Sequence, residues 1–203
     1  MKNYSLLITL IFFIIFGCKE PGGQIDFEKE KYIAHLKLDS STLIITEVFG
    51  DLDVPWEITY GSDSFLWFTE HKGTVTRLIP ESGEKKLLLQ VPDVHYVKSR
   101  GLLGMAVHPD IKKEPYIYLH YTFSIEKEDN LEDIRSRLVR YTYTGDTLTD
   151  VKIILDSIPG KTLHNGSRLV ISPDRKLFFA IGDIGETSLP QDINHLNGKN
   201  TPI

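Results

Sequence analysis

Residues 164–186 read HNGSRLVISPDRKLFFAIGDIGE. RLVISP and KLFFAIG are short runs rich in apolar, β-branched and aromatic side chains, and SPDRK between them has turn chemistry. The stretch predicts two antiparallel strands joined by a tight polar turn. The same unit occurs twice more: PWEITYGSDSFLWFTEHKGTVTRL begins at Pro55 and LLGMAVHPDIKKEPYIYLHYTF at Leu102, against SRLVISPDRKLFFAIGD at Ser167. Each has an apolar strand, an Asp-bearing turn and a second, aromatic-rich strand ending in a small or polar group. A spacing of roughly 45 to 65 residues suits four-stranded propeller blades better than a sandwich or an open barrel. Each blade would bury its faces against the next.

The rest of the chain agrees with an all-β class. TLIITEVF, TVTRLI, KKLLLQV, RLVRYTYT and KIILDSI are further strand-like runs, and PESGEK, HPDIKKEP and TGDT are turns. Only KEDNLEDIRSR could hold a helical turn, and it reads better as a long loop. The chain ends in LNGKNTPI, a loop-like stretch with no expected closing strand. Three repeats are too few for a closed propeller, so residues 42–203 are expected to be the N-terminal part of a longer domain.

The first residues stand apart. Lys2 gives a positive start and Leu6 to Phe16 an almost unbroken apolar run. That run is shorter than the about 20 residues a spanning helix needs, and it fits a secretory signal over residues 1–17. It ends in IFGC, which resembles a lipoprotein processing site and marks Cys18 for acylation; a plain signal peptide with a chance cysteine is the alternative. Cys18 is the single cysteine of the 203 residues, so no disulfide can form within the chain. Residues 18–41 then form the lipidated end and a polar tether beginning KEPGGQIDFEKEK. These features predict a lipid-anchored protein of the cell envelope, facing the periplasm or the exterior and touching the membrane only through its anchor.

A net charge of −5 with scattered basic residues argues against a nucleic-acid surface. No HExxH, paired-Cys, EF-hand or P-loop pattern occurs, and GDIGE is too short for a dinucleotide fingerprint. His35, His71, His95, His108, His120 and His195 all have ordinary structural explanations in loops, turns or strands. His164 differs in position. It stands just before one strand, and Asp183 stands at the end of the next. If the two strands are antiparallel neighbours, both residues return to one edge of the sheet. A carboxylate beside an imidazole fixes its tautomer and favours its protonated form, which suits a general base. The same residues also allow a turn aspartate bonded to its own backbone and an unrelated loop histidine.

Taken in order, VPWEI, LWFTE, RGLLGMAVHPD, EPYIYLHYTF, SRLVRYTY, HNGSRLVISPDRKLFFAIGDIGE and LNGK resemble the soluble quinoprotein glucose dehydrogenases and the related glucose/sorbosone and aldose sugar dehydrogenases. The resemblance implies a six-bladed β-propeller, of which this chain holds about the first half. It implies pyrroloquinoline quinone (PQQ) and calcium as cofactors, an aldose oxidised to its lactone, an external electron acceptor, and a possible homodimer. By the same resemblance His164 is the catalytic base at the cofactor and Asp183 the carboxylate that orients it. The family often carries Gln or Glu where this chain has Ser99, so Ser99 and Arg100 are weaker cofactor-binding candidates. The calcium ligands are expected beyond residue 203, and no metal ligand is assigned here. Two other functions fit a propeller: a non-enzymatic module binding carbohydrate or protein, and a calcium-dependent lactonase using Asn165 and Asp183.

Overall fold

The computed structural model describes residues 32–126 and 132–203. The expected signal, Cys18 and the start of the tether lie outside the described residues, as do residues 127–131. The chain divides into two compact units at Glu47/Val48. In the first, β1 (Tyr32–Lys37) pairs with β2 (Thr42–Thr46) as an antiparallel hairpin. The strand β1 falls inside the stretch the sequence reads as tether. Its YIAHLK carries Tyr32, Ile33, Ala34 and Leu36 but follows directly on a charged, Gly/Pro-bearing run, and the pairing with TLIIT defines it.

The second unit holds three antiparallel sheets. β3 (Pro55–Tyr60), β4 (Leu66–Glu70), β5 (Thr74–Leu78) and β6 (Lys85–Gln90) form the first, in chain order. β7 (Leu102–Val107), β8 (Tyr116–Glu126), β9 (Glu132–Tyr143) and β10 (Leu148–Pro159) form the second, also in chain order. β11 (Arg168–Ile171), β12 (Leu177–Ala180) and β13 (Asn200–Pro202) form the third. The two four-stranded meanders and the three-stranded sheet that follows them stand where the sequence repeats predict blades. The only helical element among the described residues is a 3₁₀ turn at Leu189–Gln191.

Two expectations need correction. The chain end is not all loop: Asn200, Thr201 and Pro202 pair with Ala180, Phe179 and Phe178 and add a third strand to the last sheet. Three residues containing Asn and Pro carry almost no strand signal, and only the β12 edge recruits them. Residues 132–136, read as the end of a long loop, continue β9, because β8 runs on to Glu126 and pairs along its whole length.

The middle sheet explains the packing. Met105, Leu119 and Val139 face the first sheet, in a cluster with Trp67, Val75 and Leu102. Ala106 and Leu138, their chain neighbours, face the third sheet with Leu169, Phe179 and Ile181. Side chains alternate along a strand, so a sheet covered on both faces needs unbroken apolar runs. LLGMAV is such a run and is almost wholly buried. Each fully buried Leu or Phe contributes roughly 1.5–3 kcal/mol. The apolar sandwiching fixes how the connecting loops sit at one end of the three sheets.

Candidate active site

Three connections meet at that end. Residues 91–101 join β6 to β7, residues 160–167 join β10 to β11, and residues 181–199 join β12 to β13. In the third sheet Arg168 pairs with Ala180 and Ile171 with Leu177. His164 and Asp183 therefore leave the same end of the strand pair, opposite the SPDRK turn.

They meet directly. His164 Nδ1 lies 2.9 Å from Asp183 Oδ1, with the imidazole 62 % exposed and the carboxylate 28 % exposed. The Gly185 N–H also donates to Asp183 Oδ1 at 2.9 Å. The turn aspartate and the histidine partner, alternatives in the sequence, are thus one arrangement. The Gly185 N–H, and after it the His164 ring, hold the Asp183 carboxyl below its ordinary range. An ionised carboxylate only accepts, so His164 Nδ1 carries the hydrogen and donates. In the neutral ring Nε2 is then the bare lone pair.

The backbone around the pair is tightly determined. His164 has φ 56, in the left-handed region. Its carbonyl accepts from the Ile184 N–H at 3.1 Å, and the Asn165 carbonyl accepts from the Gly182 N–H at 3.4 Å. Gly166 (φ 59) and Gly182 allow this approach: a Cβ on Gly166 would stand 2.6 Å from the Gly182 nitrogen. Lys161 pairs with Glu186 across the same two loops.

Ser99 stands beside the histidine loop. Its hydroxyl donates to the Thr162 carbonyl at 3.1 Å, and its own carbonyl lies 3.5 Å from Asn165 Nδ2. Arg100 is buried, and its Nε donates to the Val97 carbonyl at 3.1 Å. The guanidinium is folded onto its own turn. Asn165 is buried, and both ends of its amide bond the backbone of Lys161. Nothing in the sequence marked Asn165 as a loop anchor; its place next to His164 is the one available signal.

An exposed ring held at Nδ1 leaves Nε2 open to the solvent side of the loops. Among the described residues no group of three or more His, Cys, Asp or Glu could hold a metal ion. Also among the described residues, no helix is long and apolar enough to cross a membrane.

Comparison with known proteins assigns this propeller fragment to a family. The glucose/sorbosone dehydrogenase family model matches residues 52–203, and the chain belongs to that family. It is 37 % identical over 169 residues to quinoprotein glucose dehydrogenase B of Acinetobacter calcoaceticus, covering 75 % of this chain and 35 % of that protein. The PQQ-bound aldose sugar dehydrogenase of Streptomyces coelicolor superposes with a TM-score of 0.68 at 29 % identity, covering 77 % of this chain and 46 % of that one. Hedgehog-interacting protein of Mus musculus is 29 % identical over 180 residues, covering 80 % of this chain and 25 % of that protein. The chain thus spans less than half the length of each of these relatives.

Proposed function

We propose that this chain carries the base-bearing part of a PQQ-dependent dehydrogenase that oxidises an aldose to its lactone. The 2.9 Å contact between His164 Nδ1 and Asp183 Oδ1 is the observation that carries this reading. His164 Nε2 takes the proton of the anomeric hydroxyl as the hydride leaves the anomeric carbon. PQQ, when bound, supplies the two-electron acceptor for that hydride. Asp183 keeps the ring in the tautomer with Nε2 bare, and its negative charge stabilises the imidazolium that forms. The Gly185 N–H holds the carboxylate oriented toward the ring. Ser99 sets the backbone of the histidine loop through Thr162 and would border PQQ when bound, while Arg100 braces the turn that carries Ser99. Calcium is held by residues other than those gathered here, and the electrons pass on to an external acceptor. Acylated Cys18 anchors the protein to the cell envelope.

The test is a titration of the purified full-length protein with PQQ and calcium, following aldose-dependent reduction of a dye. Saturable activity that requires both is the expected result. The similarity to Hedgehog-interacting protein favours a second reading, a propeller that binds a protein partner without redox chemistry. Failure to bind PQQ in the presence of calcium would select it.

A further inference from the structure

We infer that Asn165 is a positioning residue for His164: its buried amide clamps the 161–165 turn so that the exposed imidazole is presented to Asp183. This rests on the reading of His164 as the base. The imidazole is 62 % exposed, so packing does not orient it. Its direction is set by the backbone from which it hangs, and that backbone is left-handed at φ 56, a conformation a non-glycine residue keeps only where its surroundings over-determine it.

Asn165 supplies that determination. It is 1 % exposed. Its Oδ1 accepts from the Lys161 N–H at 3.0 Å, and its Nδ2 donates to the Lys161 carbonyl at 2.8 Å. One amide therefore bonds both polar groups of a residue four positions back and closes the turn like a rung of a sheet. The same Nδ2 reaches the Ser99 carbonyl, tying the turn to the connection that enters the middle sheet. The main-chain carbonyl of Asn165 accepts from Gly182, one residue before Asp183. Lys161, whose backbone the amide grips, sends its own side chain to Glu186 beyond Asp183. Asn165 thus joins the three segments that carry Ser99, His164 and Asp183. Both ends of its amide are engaged by the backbone, which places it in support of the histidine rather than in a lactonase metal site.

The test uses the full-length protein with Asn165→Ala and, should that variant fold poorly, Asn165→Asp. The aspartate keeps the acceptor for the Lys161 N–H and loses the donor to the Lys161 and Ser99 carbonyls. The first readout needs no cofactor: the low-field Nδ1–H proton resonance of His164, identified by its loss in His164→Gln. The second is the split of kcat and KM in aldose-dependent dye reduction. The resonance is expected to vanish or move in Asn165→Ala, with kcat falling about 100-fold and KM changing less than about 3-fold. Asn165→Asp is expected to fall between. If either folded variant keeps both the wild-type resonance and the wild-type kcat, Asn165 is merely structural and the inference is overturned. Unchanged turnover in His164→Ala would instead sink the base reading, and the resonance alone would then decide the positioning.

Discussion

Gly182 lies against the carbonyl of His164, so close that a Cβ on residue 182 would stand 1.9 Å from the His164 oxygen. The neighbouring obstacle is also backbone, the Gly166 nitrogen at 3.1 Å. Neither can swing aside as a flexible side chain can. Gly182→Ala therefore has to push the two loops apart. It is expected to cost about 1–3 kcal/mol of stability and to lower kcat more than it raises KM. A thermal melt and steady-state kinetics on the folded variant check both; wild-type kcat in Gly182→Ala would mean the loop spacing does not set the His164–Asp183 geometry.

Asp183→Asn tests the charge while keeping the shape. The amide oxygen can still accept from Gly185, but the negative charge beside the ring is gone. The expected loss in kcat is about 100-fold or more, within the range general-base assistance supplies. The carboxyl is held below its ordinary value in the folded state. Its stabilising contribution is present above the unfolded value near 3.8 and is lost as pH falls through the folded value. Wild-type unfolding midpoints should therefore drop in that acidic window more steeply than those of Asp183→Asn.

His120 gives a separate pH dependence. It is fully buried in β8 against Phe179, with ring centroids 4.8 Å apart, and neither ring nitrogen has a protein partner. Burial pushes its pKa from 6.5 down to about 3. The folded ring stays neutral where the unfolded ring takes a proton, so stability is lost as pH falls from 6.5 toward 3. The slope approaches about 1.4 kcal/mol per pH unit well below 6.5. His120→Leu should flatten the urea-unfolding free energy between pH 7 and pH 4.5. The same slope in both proteins would show that another group controls acid sensitivity.

Glu57 in the first sheet accepts from Arg168 in the third, past the middle sheet. Burial raises the Glu57 pKa against the opposing pull of Arg168. Arg168→Ala leaves a buried carboxylate unpaired and is expected to cost about 2 kcal/mol, most of it recovered by adding Glu57→Gln. Strictly additive melts in the double mutant would show that the pair does not couple the sheets.

How much of this was legible in the sequence follows from where the signals are local. Pro55 and Leu102 begin strands as the repeats predict, and the third repeat, read from Ser167, starts its strand at Arg168. Strong alternation and turn residues sit on those stretches themselves. β13 is not legible because its partner strand defines it rather than its own Asn, Thr and Pro, and β1 is not legible because YIAHLK runs on from the charged stretch that reads as tether. The His164–Asp183 contact followed from the antiparallel pairing between them. Asn165 did not, because its importance lies in hydrogen bonds to Lys161 and Ser99 that no spacing rule records. Ser99 was readable as a departure from the family pattern, but its bond to Thr162 was not.

The reading stands or falls on His164 as the base. The most direct measurement compares wild type and His164→Ala of the full-length protein, saturated with PQQ and calcium, in aldose-dependent dye reduction, with PQQ binding followed by absorbance. With His164 as the base, kcat falls about 100-fold or more at unchanged PQQ affinity. Turnover at the wild-type rate in His164→Ala, with PQQ bound, would contradict it.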